Sequence, residues 1–345
     1  MKPLQVPAAG FRRIAVLRLS SLGDVILTLP VVHALHRAYP GARIEYWTRE
    51  EYGDVLRFDP AVGHVRALER DAMRIEDLVS MSAELEECDL IVDLHGSART
   101  RVLTFRQKGR VLRAPSSRVR RLRWVHARWS SPAAAAPTAE RYARSLAPLS
   151  IATHGAPRMT CGGEAEAWAD AWIARRGFDR PVAIAPAARH ATKQWIESSW
   201  IEIADRLGKK GIPVLAFSLA REKPTFGALA AAIERRAEGA WLCESLPRMA
   251  ALLSRCRAAV TCDSGLMHLA AARALRVVAL YGSTVPELGF APQGEGHAVL
   301  CRHEPCQPCT LHGRERCPLG HFRCMTGITP DEVWSALAVD VPAAR

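Results

Sequence analysis

Twice along this chain a compact apolar run passes through a turn of small and polar residues into an amphipathic stretch, and each time the alternation then repeats. The first series opens at Arg13-Ile-Ala-Val-Leu-Arg-Leu19, continues through Ser20-Ser-Leu-Gly-Asp24, and gives a helical pattern from Val25 to Ala38 that Pro40-Gly41 ends. Strand, glycine-bearing turn and helix in that order open a βαβ unit. Arg43 to Trp47 and His64 to Ala67 read as strands, and Glu50 to Arg57 and Met73 to Glu86 as helices. Asp89 to Leu94 reads as a buried strand ending at His95-Gly96.

The second series starts at Pro181-Val-Ala-Ile-Ala-Pro186. A helix from Glu197 to Lys209 follows, then a strand from Pro213 to Phe217 and helices from Glu222 to Arg236 and Leu246 to Cys256. Strand Ala258 to Cys262, helix Gly265 to Ala274 and strand Val277 to Tyr281 come next. Thr329-Pro-Asp-Glu-Val-Trp-Ser-Ala-Leu337 carries an N-cap threonine and an N1 proline and predicts a closing helix. Two such runs imply an α/β fold of two parallel sheets, each covered by helices on both faces. Turn-rich residues near 153–180 separate the halves, giving expected domains of 1–165 and 166–345 with a cleft between them; Ser131–Pro137 reads as a loop excursion within the first. In open α/β sheets, ligands bind beyond the carboxyl ends of strands, so the residues just after strands are the candidates for chemistry.

A length of 345 residues suits two domains, and 49% hydrophobic with 24% charged residues suits a globular chain. No apolar run approaches the ~20 residues of a membrane span, and the N-terminus lacks the apolar core of a secretory signal. The expected location is the cytoplasm, with possible peripheral contact at a membrane. The net charge of +12 favours an anionic partner. Arg99 to Arg128 holds eleven Lys or Arg residues and no Asp or Glu, either a solvated surface or a docking face for a phosphate-bearing molecule. Nucleic acid is the alternative partner. That reading asks for stacking aromatics among the cations, and only Phe105, Trp124 and Trp129 are there.

Three turns carry candidate chemistry. Ser21, Gly23 and Asp24 follow the first strand, where Gly23 permits close backbone approach and Asp24 either caps a helix or faces a ligand. Neither the GxGxxG fingerprint nor the P-loop pattern occurs, which disfavours a nicotinamide-dependent oxidoreductase. Thr192 and Lys193 precede a helix, where backbone N–H groups and a point charge suit phosphate. Cys262-Asp263-Ser264-Gly265-Leu-Met-His268 brings a carboxylate, a hydroxyl, an imidazole and free N–H groups to one strand end, with Asp263 or Ser264 as the cap.

Taken together, Ile14-Ala-Val-Leu-Arg-Leu-Ser-Ser-Leu-Gly-Asp24 with Leu27-Thr-Leu-Pro30, the Lys193-x-Trp195 turn, and Asp263-Ser-Gly265 with His268 resemble glycosyltransferase family 9. These are the ADP-heptose–lipopolysaccharide heptosyltransferases, and the likeness runs over residues 12 to 338. The Cys-rich tail looks most like the type II branch. The resemblance implies a GT-B fold of two Rossmann-like domains. The N-terminal domain would bind the acceptor and the C-terminal domain the nucleotide sugar. It implies inverting transfer of heptose from ADP-L-glycero-D-manno-heptose to the phosphorylated inner core of lipopolysaccharide, with no metal or other cofactor. Asp24 would be the general base. Thr192, Lys193, Ser264, Gly265 and His268 would hold the diphosphate, Asp263 the sugar hydroxyls and Glu222 the ribose. Ser21, Gly23, Arg99, Arg120 and Arg123 would meet the acceptor. Alternatives are transfer of another nucleotide-linked sugar, and a catalytically dead scaffold, which the joint presence of Asp24, Lys193 and Asp263 argues against. The family's Pro-Gly-Ala at the start of the second half is Pro186-Ala187-Ala188 here, and the Ala187 methyl is expected to restrict the backbone.

Ten cysteines are present. Cys88, Cys161, Cys243, Cys256 and Cys262 read as small core hydrophobes. Cys301, Cys306, Cys309, Cys317 and Cys324 cluster with His303, His312 and His321. Reduced structural thiols or a structural zinc both suit that composition, though the spacing matches no common zinc ribbon.

Overall fold

The structure, a computed structural model, describes residues 10–69, 74–107, 110–127 and 136–338. Met73, Arg128, Trp129 and residues 131–135, which figure in the expectations above, lie outside these. The chain forms two compact units. One falls within Met1–Ser117 and Ala136–Cys161, the other within Arg118–Ala135 and Gly162–Arg345.

The first unit is built on a five-stranded, all-parallel sheet: β1 (Arg13–Leu17), β2 (Arg43–Arg49), β3 (His64–Leu68), β4 (Leu90–Asp93) and β5 (Val111–Arg113), ordered β3-β2-β1-β4-β5. Ile14, Ala15, Val16 and Leu17 are wholly buried, as aliphatic runs must be in a strand covered on both faces. The second unit holds a six-stranded parallel sheet: β6 (Val182–Ala185), β7 (Val214–Phe217), β8 (Gly239–Leu242), β9 (Ala258–Cys262), β10 (Val277–Tyr281) and β11 (Ala298–Cys301), ordered β11-β10-β9-β6-β7-β8. The expected α/β class with two Rossmann-like parallel sheets is therefore what the chain adopts.

Several elements differ from the sequence expectation. The Val25–Ala38 helix is two segments, Leu22–Leu27 and Leu29–Ala38. Pro30 lacks an N–H and crowds the carbonyl of the preceding turn, which breaks the helix at Thr28. Glu50–Val55 and Glu84–Glu87 are 3₁₀ turns, and the helix before the latter is Ile75–Ser82. The segment after Glu222 begins as 3₁₀ over Lys223–Phe226 and becomes α-helical only at Gly227–Glu234. A helix at Gly163–Arg176, inside the turn-rich region, was not expected. The two compact units meet in sequence at Cys161 and Gly162.

The larger departure is the helix Arg118–Ala127, which belongs to the second unit although it lies within the first half of the sequence. Trp124 anchors it, packed with Val285 and Leu288, and the Arg121 guanidinium stands 5.2 Å from the centre of the Phe290 ring. Among the described residues, no helix is long and apolar enough to cross a membrane. Cys88, Cys161, Cys256 and Cys262 are buried as expected; Cys243, just after β8, is exposed.

Candidate active site

In each sheet the strand order reverses once. In the first unit the chain proceeds from β1 outward to β3, then returns to lay β4 on the other side of β1. In the second it proceeds from β6 outward to β8, then returns to lay β9 beside β6. Helices leave in opposite directions at such a switch point and open a crevice at the strands' carboxyl ends. Asp24 follows β1, Lys193 follows β6 and Asp263 follows β9.

Asp24 lies in the first turn of the helix Leu22–Leu27, whose N-cap is Ser21. Arg18, one residue beyond β1, sets Nη2 2.7 Å from Asp24 Oδ2. The Ser21 hydroxyl donates to the same oxygen at 3.0 Å, and the Tyr142 hydroxyl donates to Oδ1 at 2.7 Å. Burial opposes the charge on Asp24, but the Arg18 cation and these hydroxyls overcome it and hold the carboxyl below its usual range. Arg18 also donates from Nη1 to the Leu94 carbonyl at 2.9 Å, tying β1 to the end of β4. His95 follows there. Burial, reinforced by Arg18, pushes its imidazole down to about 4, so it is neutral at physiological pH, and its buried Nδ1 makes no hydrogen bond.

Lys193 and Asp263 form the matching cluster in the second unit. Trp195 is buried, meets Trp200 edge to face at 5.2 Å, and donates Nε1–H to the Ile328 carbonyl at 3.0 Å. Burying one such ring stabilises the unit by about 2–3 kcal/mol, and it fixes the turn that carries Lys193. Lys193 Nζ then lies 2.7 Å from Asp263 Oδ2, which also accepts from the Thr284 hydroxyl at 2.7 Å. Burial raises the Asp263 carboxyl, but Lys193, Thr284 and His268 together hold it below its usual range. Ser264, not Asp263, is the N-cap of the helix Gly265–Ala272; its hydroxyl oxygen is buried and makes no hydrogen bond. His268 is buried one turn further along.

The Cys-rich loop closes over the same turn. Thr192 is buried, donates its hydroxyl to Ser283 Oγ at 2.9 Å and accepts from the Arg314 N–H at 2.8 Å. Gly282 makes this approach possible, since a Cβ there would stand 2.4 Å from the Thr192 carbonyl oxygen. Cys306, Cys309, Cys317, Cys324 and His321 line a small cavity of about 10 Å³ beside Thr192. All ten cysteines are free thiols, and among the described residues no group of three or more His, Cys, Asp or Glu is arranged to hold a metal ion.

The structure thus gathers Thr192, Lys193, Asp263, Ser264, Gly265 and His268 at one switch point, and Ser21, Gly23 and Asp24 at the other. Glu222 follows β7 and accepts the Leu219 N–H at 2.9 Å. Arg99 is exposed at the start of the helix Ala98–Leu103 in the first unit. Arg120 and Arg123 are exposed on the helix Arg118–Ala127 in the second, so the basic run divides between units. Part of it is structural, since Arg113 Nε pairs with the buried Asp93 at 3.5 Å and Arg106 with Glu86 at 3.5 Å. Gly23 and Gly265 both sit in first helical turns without positive φ, so neither uses a glycine's left-handed freedom. Ala187 likewise has no positive φ, and its methyl brings no left-handed strain. Arg18, Tyr142, His95 and Thr284 were missed. Arg18 lies within the first motif and could have been read from it; the others carry no local signal.

Residues 79–319 match the family model "Glycosyltransferase family 9 (heptosyltransferase)". Lipopolysaccharide heptosyltransferase 1 of Pseudomonas aeruginosa is 31% identical over 327 residues, covering 86% of each chain. The solved E. coli ADP-heptose lipopolysaccharide heptosyltransferase II superposes with a TM-score of 0.71 at 22% identity, over 94% of this chain and 97% of that one. The E. coli heptosyltransferase WaaC with ADP-2-deoxy-2-fluoro heptose gives 0.67 at 20% identity, over 95% and 100%. The fold is of the GT-B type. Relatives of both types I and II match, so the likeness does not single out the type II branch.

Proposed function

This chain belongs to glycosyltransferase family 9, the heptosyltransferases, and within that family we propose that it transfers heptose from ADP-L-glycero-D-manno-heptose to the phosphorylated inner core of lipopolysaccharide, with inversion. The first unit would bind the acceptor and the second the nucleotide sugar. The observation that carries the reading is the state of Asp24: a carboxylate at the β1–β4 switch point, kept ionised by Arg18 and Tyr142.

An inverting transfer needs one base and one stabilised leaving group. Asp24 would take the proton of the acceptor hydroxyl as its oxygen attacks the anomeric carbon. A carboxylate of lowered basicity suits a late proton transfer, after the forming C–O bond has acidified the hydroxyl. Its negative charge also favours the oxocarbenium-like transition state. At the other switch point the ADP diphosphate would meet Lys193, the Thr192 turn, and the N–H groups of Ser264 and Gly265 at a helix N-terminus. The Ser264 hydroxyl would find its partner there. His268 would contact the same phosphates, Asp263 would orient Lys193 and receive sugar hydroxyls, and Glu222 would accept from the ribose. We place the positive charge that the leaving group requires on Lys193 and the helix end rather than on a metal ion.

Arg99 with Ser21 and Gly23 would meet the acceptor in the first unit, and the positive field of the exposed Arg120 and Arg123 would attract its phosphates. A lipid-anchored acceptor would bring the basic surface to the cytoplasmic face of the inner membrane. The test is acceptor-dependent ADP release with ADP-heptose and a heptose-deficient core, comparing wild type with Asp24→Asn. A loss of at least ~100-fold in kcat with ADP affinity retained supports the base. No nucleotide-sugar binding by wild type would sink the donor assignment. Binding without transfer would move the proposal to a different acceptor.

A further inference from the structure

Tyr142 reaches Asp24 from 118 positions away in the chain, on the helix Thr138–Ala143. Its ring is buried and flanked by two cations, Arg18 at 5.3 Å and Arg141 at 5.5 Å from the ring centre. A buried phenol must donate its proton somewhere, and this one donates to Asp24 Oδ1 at 2.7 Å. The other carboxylate oxygen already takes Arg18 at 2.7 Å, the Ser21 hydroxyl at 3.0 Å and the Ser21 N–H at 3.4 Å. The carboxylate is therefore tethered at both oxygens and cannot rotate.

We propose that Tyr142 is a positioning residue for Asp24, and that the tether leaves Oδ1 as the oxygen that receives the acceptor proton. This rests on the reading of Asp24 as the general base. A carboxylate oxygen offers two lone pairs. Oδ2 has three donors crowded on it, whereas among the described residues Oδ1 takes Tyr142 alone, which leaves Oδ1 a lone pair for the acceptor hydroxyl. Removing the hydroxyl frees the carboxylate to turn and withdraws a donor from its charged form.

Every charged or titratable group facing Asp24 bears on the pH test. Among the described residues these are Arg18 beyond β1, Tyr46 on β2, His95 beyond β4, and Arg141 with Tyr142 on their helix. Both phenols are held well above their usual value and stay protonated, whereas His95, pushed down to about 4, titrates in the same acid range as the lowered Asp24 carboxyl, so the acid limb is read together with the titration of Asp24 itself.

Tyr142→Phe keeps the ring and its cation contacts and removes only the hydroxyl. The expected result is a roughly 10-fold fall in kcat, donor KM within twofold of wild type, and an acid limb of kcat/KM raised by about one pH unit, as loss of a hydrogen bond to an ionised group requires. The carbon-13 signal of the Asp24 carboxyl should titrate higher in the variant, a readout independent of turnover. Unchanged kcat and an unmoved Asp24 titration in a folded Tyr142→Phe protein would overturn the proposal. So would a loss of activity matched by a loss of Tm with the pH profile unmoved. If Asp24→Asn itself stays active, it is the base assignment that fails. An inactive Asp24→Asn beside a fully active Tyr142→Phe refutes the positioning role alone.

Discussion

Lys193 Nζ stands 2.7 Å from Asp263 Oδ2, so two separate sequence motifs form one ion pair at the β6–β9 switch point. Both side chains are mostly buried, at 14% and 10% exposure. Removing one partner strands a charge in a poorly solvated place. Lys193→Met should therefore cost about 3 kcal/mol of stability and raise the Kd for ADP at least ~10-fold, in the range expected for a lost buried pair. The double variant Lys193→Met with Asp263→Asn should recover part of the stability but none of the ADP affinity. Thermal unfolding and calorimetric titration of ADP separate the two effects, and additive stability losses would count against the pair.

Acid should weaken the folded state through Asp24 and Asp263. Both carboxyls lie below their unfolded value near 4. Each contributes stability that is fully present above that value and is lost as pH falls through the depressed folded value. The stability gap between wild type and Asp24→Asn should thus narrow as pH drops below about 4. Urea midpoints at pH 7, 5 and 3.5 measure it, and a gap that widens in acid contradicts the sign.

Trp124 holds a helix of the first half onto the second unit, against Val285 and Leu288. Trp124→Ala should cost about 3 kcal/mol, as for other buried ring truncations. It should also speed proteolysis within residues 118–127. Limited trypsin digestion followed by mass spectrometry reads this out directly, given the arginines there. Cleavage at the wild-type rate would mean that the helix is held by other contacts.

Arg120 and Arg123 are exposed on that helix and Arg99 on another. Replacing Arg120 and Arg123 by Ala should raise the KM for a phosphorylated acceptor several-fold and flatten its salt dependence, with donor KM and Tm unmoved. An acceptor KM indifferent to both the substitution and the salt would remove the basic helix from the acceptor site.

What the sequence determined by itself was local. The βα periodicity, the turn residues and the caps set most of the strands and helices of both units, because each signal lies within a few residues of the element it specifies. By the rule that ligands sit at strand ends, it also placed Asp24, Lys193 and Asp263. Strands β5, β8 and β11, of three or four residues each, carry too little periodicity to be read alone, and pairing with neighbours defines them. Only the tertiary structure decided that Tyr142 bonds Asp24, that His95 sits neutral beside Arg18, that the Cys-rich loop seats on Thr192, and that Trp124 carries its helix into the second unit. Those are contacts between residues far apart in sequence. Burial and hydrogen-bond satisfaction select them after the sheets have formed, and no local pattern of residues encodes them.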